Sequence, residues 1–228
     1  MNTPKMFLIG ISVLIVIASL LGCRWRNDYS EKMKTLADRV LSSASDAPAA
    51  LDELVRSSES KDHWQRYYAL VYLGQIAQQN GSDLKPRILP IIIRALGDDQ
   101  QATRRDMVCV IRDIGPSAVD QAIPELIQIV KKGEEIDVAW FAAEALGKVE
   151  SSSYREEVIG ALLNALDRPI PSTLDPSAPQ LRFYALGSLS EIGRKYPSAI
   201  LPEFEKRLGV SDKVLSAKIA KAAAELKR

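Results

Sequence analysis

The chain has 228 residues, 46% of them hydrophobic, and 30 Lys and Arg nearly balance 29 Asp and Glu. That apolar share is enough for a packed core and excludes wholesale disorder, while a formal charge of +1 removes any global attraction to nucleic acid. Aromatics make up only 6%, which with abundant Ala, Leu and Ile favours helix over sheet, and one His with two unpaired Cys cannot supply a four-ligand zinc site without carboxylates.

The N-terminus reads as an export signal. Met1 to Lys5 is short and carries one positive side chain, and residues 6–21 (MFLIGISVLIVIASLL) are an unbroken run of apolar and small residues. Sixteen helical residues would reach about 24 Å, short of the roughly 30 Å hydrocarbon core of a bilayer, so a signal-peptide apolar region fits better than a full span. The run closes in Leu20-Leu21-Gly22-Cys23, which resembles the lipobox of bacterial lipoproteins. The resemblance implies cleavage after Gly22 and lipidation of Cys23. Leu21 departs from the small or β-branched residue usual at its place, and Arg24 is not the aspartate that retains such proteins at the inner membrane. The other reading is an uncleaved anchor over 1–22, with Arg24, Trp25 and Arg26 at the interface. Either one predicts membrane attachment through an N-terminal lipid or anchor helix. The body would then stand outside the cytoplasm, in a bacterial cell envelope. Cleavage would remove Lys5 and bring the formal charge from +1 to 0.

Residues 23–60 are expected to hold a membrane-proximal linker and N-terminal capping helices. Residues 28–42 place Met33, Leu36, Ala37 and Val40 on one helical face, and residues 47–57 offer Leu51, Leu54 and Val55. The body then repeats itself. Segments 66–77, 104–115, 139–150 and 182–193 align Leu73, Ile111, Leu146 and Leu189, with Ala69, Met107, Ala142 and Ala185 four residues earlier. Ile76, Ile114, Val149 and Ile192 follow three residues later, which completes one face of a helix. A second segment follows each first one, over 88–99, 122–132, 158–167 and 199–209. These align Leu89, Ile123, Ile159 and Leu201; then Ile92, Leu126, Leu162 and Phe204; then Leu96, Val130, Leu166 and Leu208. Pro90, Pro124 and Pro202 share a place that predicts the first turn of the second helix, where a missing N–H costs little. The Pro-rich insert 168–180 is expected to be a loop, and 211–228 a C-terminal capping helix with Val214, Ala217, Ile219, Ala222 and Leu226 as its apolar positions.

Paired helices at this period, with Leu-Gly after the first helix core and Pro early in the second, resemble HEAT repeats. The stretch 143–149 (AEALGKV) is most similar to the PBS-lyase-type subfamily. The resemblance implies an all-α fold: a right-handed α-solenoid of HEAT-like helix pairs, about four to five of them over 61–210 plus a capping helix. It also implies two functions. One is a non-catalytic protein-binding scaffold or adaptor with a protein or peptide partner; the other is an enzyme or enzyme subunit similar to the phycobilin lyases that share this repeat.

Chemistry-bearing constellations are scarce. No GxSxG occurs, and His63, the one imidazole, stands at an expected helix start without a neighbouring nucleophile. Cys109 falls mid-helix among apolar residues and reads as packing. Gly147-Lys148 lacks the rest of a phosphate loop, and Asp98-Asp99 lacks further ligands in series. No catalytic residue, cofactor or metal is expected. The aromatic pairs Tyr67-Tyr68, Trp140-Phe141 and Phe183-Tyr184 recur at equivalent places and read as inter-repeat packing.

The remaining candidate is the outward face of the second helices, which in HEAT-like solenoids lines the concave side. Arg94, Gln128, Asn164 and Lys206 recur there at one equivalent site, joined by Arg87, Lys132 and Arg168. Mixed charges and amides suit a protein or peptide better than nucleic acid.

Overall fold

The computed structural model describes residues 27–79, 81–169 and 181–228, so the expected leader, Cys23 and most of the Pro-rich insert lie outside the described residues. These residues are helical throughout their regular structure. The chain divides into two compact units, Met1–Ile91 and Ile92–Arg228.

The first unit opens with α1, described over 27–41. It continues with α2 (Ala47–Ser57), α3 (His63–Gln79) and most of α4 (Gly81–Arg94). Met33, Leu36, Ala37 and Val40 of α1 are buried as expected, and so are Leu51 and Leu54 of α2, while Val55, expected beside them, is half-buried. Pro48 sits in the first turn of α2, where its absent N–H is no loss. Asp62 caps α3: its Oδ1 accepts the backbone N–H groups of Trp64 and Gln65 at 2.9 and 3.1 Å. Lys32 of α1 pairs with Glu53 of α2 at 2.7 Å, and Arg87 of α4 pairs with Asp52.

The second unit begins with the last turn of α4 and a 3₁₀ turn, Ala95–Gly97. It goes on through α5 (Gln101–Ile114), α6 (Pro116–Lys132), α7 (Ile136–Leu146), α8 (Arg155–Leu166), α9 (Leu181–Lys195), α10 (Pro197–Lys206) and α11 (Lys213–Leu226). The helices form two layers. In one, α5, α7, α9 and α11 pack in succession; in the other, α6 lies against α8, and α10 packs on α9 and α11. The repeat pattern sets this arrangement. Leu73, Ile111, Leu146 and Leu189 are all fully buried, and so are Ala69, Met107, Ala142 and Ala185. Each buried Leu or Ile withdraws a side chain worth about 1.5–3 kcal/mol from water. Within the first layer a small residue makes room between α7 and α9: a Cβ on Gly147 would stand 3.0 Å from the Cα of Ser188, whose hydroxyl donates to the Ala143 carbonyl at 2.7 Å.

Three details differ from the sequence expectation. Pro90, Pro124 and Pro202 lie inside α4, α6 and α10, because these helices begin a turn or more upstream, at Gly81, Pro116 and Pro197. All three prolines face solvent, where water can serve the carbonyl each leaves without its N–H partner. Leu208 is 46% exposed, since α10 stops at Lys206 and the chain turns before that position can face inward. In α11 the buried face is Leu215, Ile219, Ala222 and Ala223, while Val214 is 59% exposed and Ala217 faces outward. Asp212 fixes that register by accepting the N–H groups of Val214 and Leu215 at 2.9 Å each.

A candidate partner-binding groove

α6 presents Pro124, Gln128 and Lys132 at fourfold spacing on one exposed face, with Glu125 and Ile129 beside them. The end of α4 supplies Ile93 and Arg94 opposite this face, and the 3₁₀ turn supplies Leu96 and Gly97. With Glu157 of α8 these residues enclose a groove of about 480 Å³. Leu96, Gly97, Ile129 and Lys132 also border an adjoining hollow of about 290 Å³, lined further by Asp98, Arg104, Glu134, Glu135 and Val138. The floor is aliphatic and the rim carries both signs of charge.

The hollow's wall is braced. Arg104 of α5 donates to Glu135 through Nε at 2.8 Å and through a second guanidinium nitrogen, and also to the Asp98 carbonyl. The Glu135 hydrogen bond raises the Arg104 pKa and keeps the guanidinium charged. Sequence reasoning missed this brace, although its signal is present. Arg66, Arg104 and Arg182 hold one repeat position: Arg66 donates to the Ser60 carbonyl six residues back at 2.8 Å, as Arg104 does to Asp98, and Arg182 pairs with Asp212 some thirty residues on.

The structure brings together only part of the expected row. Arg94, Gln128 and Lys132 share the groove. Asn164 is exposed on α8, outside the groove lining. Arg168 serves the fold, donating to the carbonyls of Lys131 and Val130 at 2.7 and 3.3 Å, against the left-handed Gly133 that ends α6. Arg87 belongs to the first unit and pairs with Asp52. Lys206 pairs with Glu203 at 2.5 Å, and with Arg207 it holds the Glu203 carboxyl below its usual pKa.

Reactive groups are not assembled here. His63 is exposed, its ring 4.7 Å from that of Trp64. Cys109 is half-buried, and burial pushes its thiol pKa up, away from the thiolate that reacts. Among the described residues no group of three or more His, Cys, Asp or Glu could hold a metal ion. No described helix is long and apolar enough to cross a membrane. Two of the aromatic pairs join neighbouring helices, since Trp140 stacks on Tyr184 at 5.5 Å and the Arg112 guanidinium lies 5.5 Å over Phe141, whereas the rings of Tyr67 and Tyr68 meet each other and Trp64 within α3.

No protein-family model matches the sequence, and no curated protein matches it either. Solved structures do match in fold. An engineered protein superposes with a TM-score of 0.55 at 16% identity, over 89% of this chain and 88% of that one. A computationally designed armadillo repeat protein for modular peptide recognition gives 0.57 at 14%, over 89% and 92%. Cex1p gives 0.58 at 18%, over 89% of this chain and 43% of that chain. At such identities the likeness establishes architecture alone, and with the helical layers above it makes the chain an all-α solenoid with the armadillo/HEAT-like repeat fold.

Proposed function

We infer that the chain is a non-catalytic scaffold that binds a protein or peptide segment along the groove between α6 and the 95–97 turn, and that it works tethered to a membrane of the bacterial envelope through Cys23 or the apolar run before it. The observation that carries the binding role is the groove itself. An aliphatic floor of Ile93, Leu96 and Ile129 is edged by Arg94, Gln128 and Lys132, which are long side chains able to direct hydrogen bonds to a partner. Repeat stacking serves such a role because it extends a surface without requiring a closed pocket. The peptide recognition named for the designed armadillo protein accords with this reading.

The test is affinity capture from membranes. Arg94→Glu with Lys132→Glu should abolish recovery of the partner and leave the melting temperature within about 2 °C, as expected of exposed positions. Capture that survives this double reversal but fails after substitutions on the outer faces of α5 and α7 would move the site to the other layer. For the tether, Cys23→Ser should block incorporation of labelled fatty acid and leave the longer precursor. Equal labelling of both forms would refute lipidation.

A further inference from the structure

The terminal helix carries charge that its packing does not use. Residues 213–228 hold Lys213, Lys218, Lys221, Lys227 and Arg228 against one carboxylate, Glu225, in a chain whose whole formal charge is +1. The side of α11 that meets α9 and α10 is Leu215, Ile219, Ala222 and Ala223. The opposite side is exposed, and at 100° per residue it aligns Ala217, Lys221, Ala224 and Arg228, with Val214 and Lys213 alongside. Lys227 is engaged with Glu205 at 2.8 Å, and Lys218 lies 5.1 Å over the Phe183 ring. Lys213, Lys221 and Arg228 have no ion pair among the described residues.

A capping helix needs only to be polar outside, and mixed charges would satisfy that need. A nearly one-signed face calls for an anionic counterpart. Its composition distinguishes two classes of partner. Protein interfaces are depleted in Lys and Ala and are anchored by aromatic residues or Arg in pockets; this face is lysine and alanine on a single convex helix, with no aromatic residue. A spread of flexible point charges over a smooth surface matches instead the diffuse charge of anionic headgroups. We propose that the outer face of α11 docks on the anionic surface of a lipid bilayer, with the lysines reaching the headgroups and Val214 and the alanines grazing them. The helix, about 21 Å long, would lie along the surface without entering it. The proposal rests on the N-terminal tether only for bringing a bilayer within reach; the contact itself is electrostatic and stands apart from it.

The experiment compares the full chain with its Lys213→Glu, Lys221→Glu variant. Each is reconstituted with vesicles of phosphatidylcholine alone or of phosphatidylcholine mixed with phosphatidylglycerol. Mass spectrometry reads the acetylation rates of Lys213, Lys218 and Lys221, with Lys34 of α1 as internal reference. Phosphatidylglycerol should slow acetylation of the α11 lysines several-fold in the wild type and raised salt should restore it, while phosphatidylcholine leaves it unchanged. Loss of two lysines should weaken the contact by at least about 25-fold, at about fivefold for each, and remove the protection of Lys218. Equal acetylation in both vesicle types would overturn the proposal. So would protection by soluble polyglutamate without protection by phosphatidylglycerol, which would assign the face to an acidic protein. If the chain fails to stay with phosphatidylcholine vesicles, the tether is refuted, and co-sedimentation with phosphatidylglycerol vesicles still decides the α11 contact. Circular dichroism identical to wild type shows that the variant is folded.

Discussion

A single side chain holds the start of α11, as Asp62 does for α3, and that side chain is Asp212. One carboxylate oxygen accepts the N–H groups of Val214 and Leu215, while the other oxygen pairs with the nearly buried Arg182 of α9. The Leu215 amide and then the Arg182 guanidinium hold the carboxyl below its usual pKa. The unfolded chain therefore takes up the proton first on acidification. The stabilisation is complete above the ordinary aspartate range and fades as pH falls through the lower, folded-state value. The protection factors of the α11 amides, corrected for the intrinsic pH dependence of exchange, should fall over that acidic window in the wild type. In Asp212→Asn, which keeps a cap oxygen and loses the charge, protection should already be lower at neutral pH and change less on acidification. An unchanged pH response in the variant would place the titrating group elsewhere.

Elements follow from pattern where the pattern is a face, and escape it where it is not. The four first helices were legible because Leu146 and its counterparts Leu73, Ile111 and Leu189 obey helical spacing four times over, and all four are fully buried. Leu146→Ala should accordingly cost about 2–5 kcal/mol, the transfer loss plus a cavity between α7 and its neighbours. Glu144→Ala removes only a half-exposed ion pair with Arg112 at 2.9 Å and should cost at most about 1 kcal/mol. Chemical denaturation of both variants compares them directly, and equal losses would contradict the packing. The register of α11 was harder to read, because alanines occur on both its faces and the adjacent Val214 and Leu215 compete for the inward place that Leu215 takes with Ile219. The groove was half legible. Arg94 and Gln128 hold one repeat position and Lys132 follows four residues on, but the aliphatic floor exists only once the 3₁₀ turn brings Leu96 into the same groove as Ile129. The contact of Arg168 was missed for a related reason: it donates to the carbonyls of Val130 and Lys131, and no local periodicity announces a bond across that separation.

At the scale of the whole molecule, layers built by succession make stability graded along the chain. In the second unit α7 is packed by α5, α6 and α9, whereas α11 packs chiefly on α9 and α10. Nearest-neighbour stacking gives an interior helix several interfaces to lose before it opens, and a terminal helix fewer. A tight approach of Gly147 to the Ser188 backbone also lies in the interior and ties α7 to α9. Native-state hydrogen exchange should therefore rank α7 as the most protected and α11 as the first to open, below the free energy of global unfolding. Leu146→Ala carries the argument further, since Leu146 belongs to a core that α5, α7 and α9 share. It should lower protection in α5 and α9 as well as in α7 and leave the opening of α11 closer to its wild-type value, because that end already opens without α7. Protection lost by the same amount in every helix, α11 included, would mean that the unit opens only as a whole, and graded stability would be the wrong description.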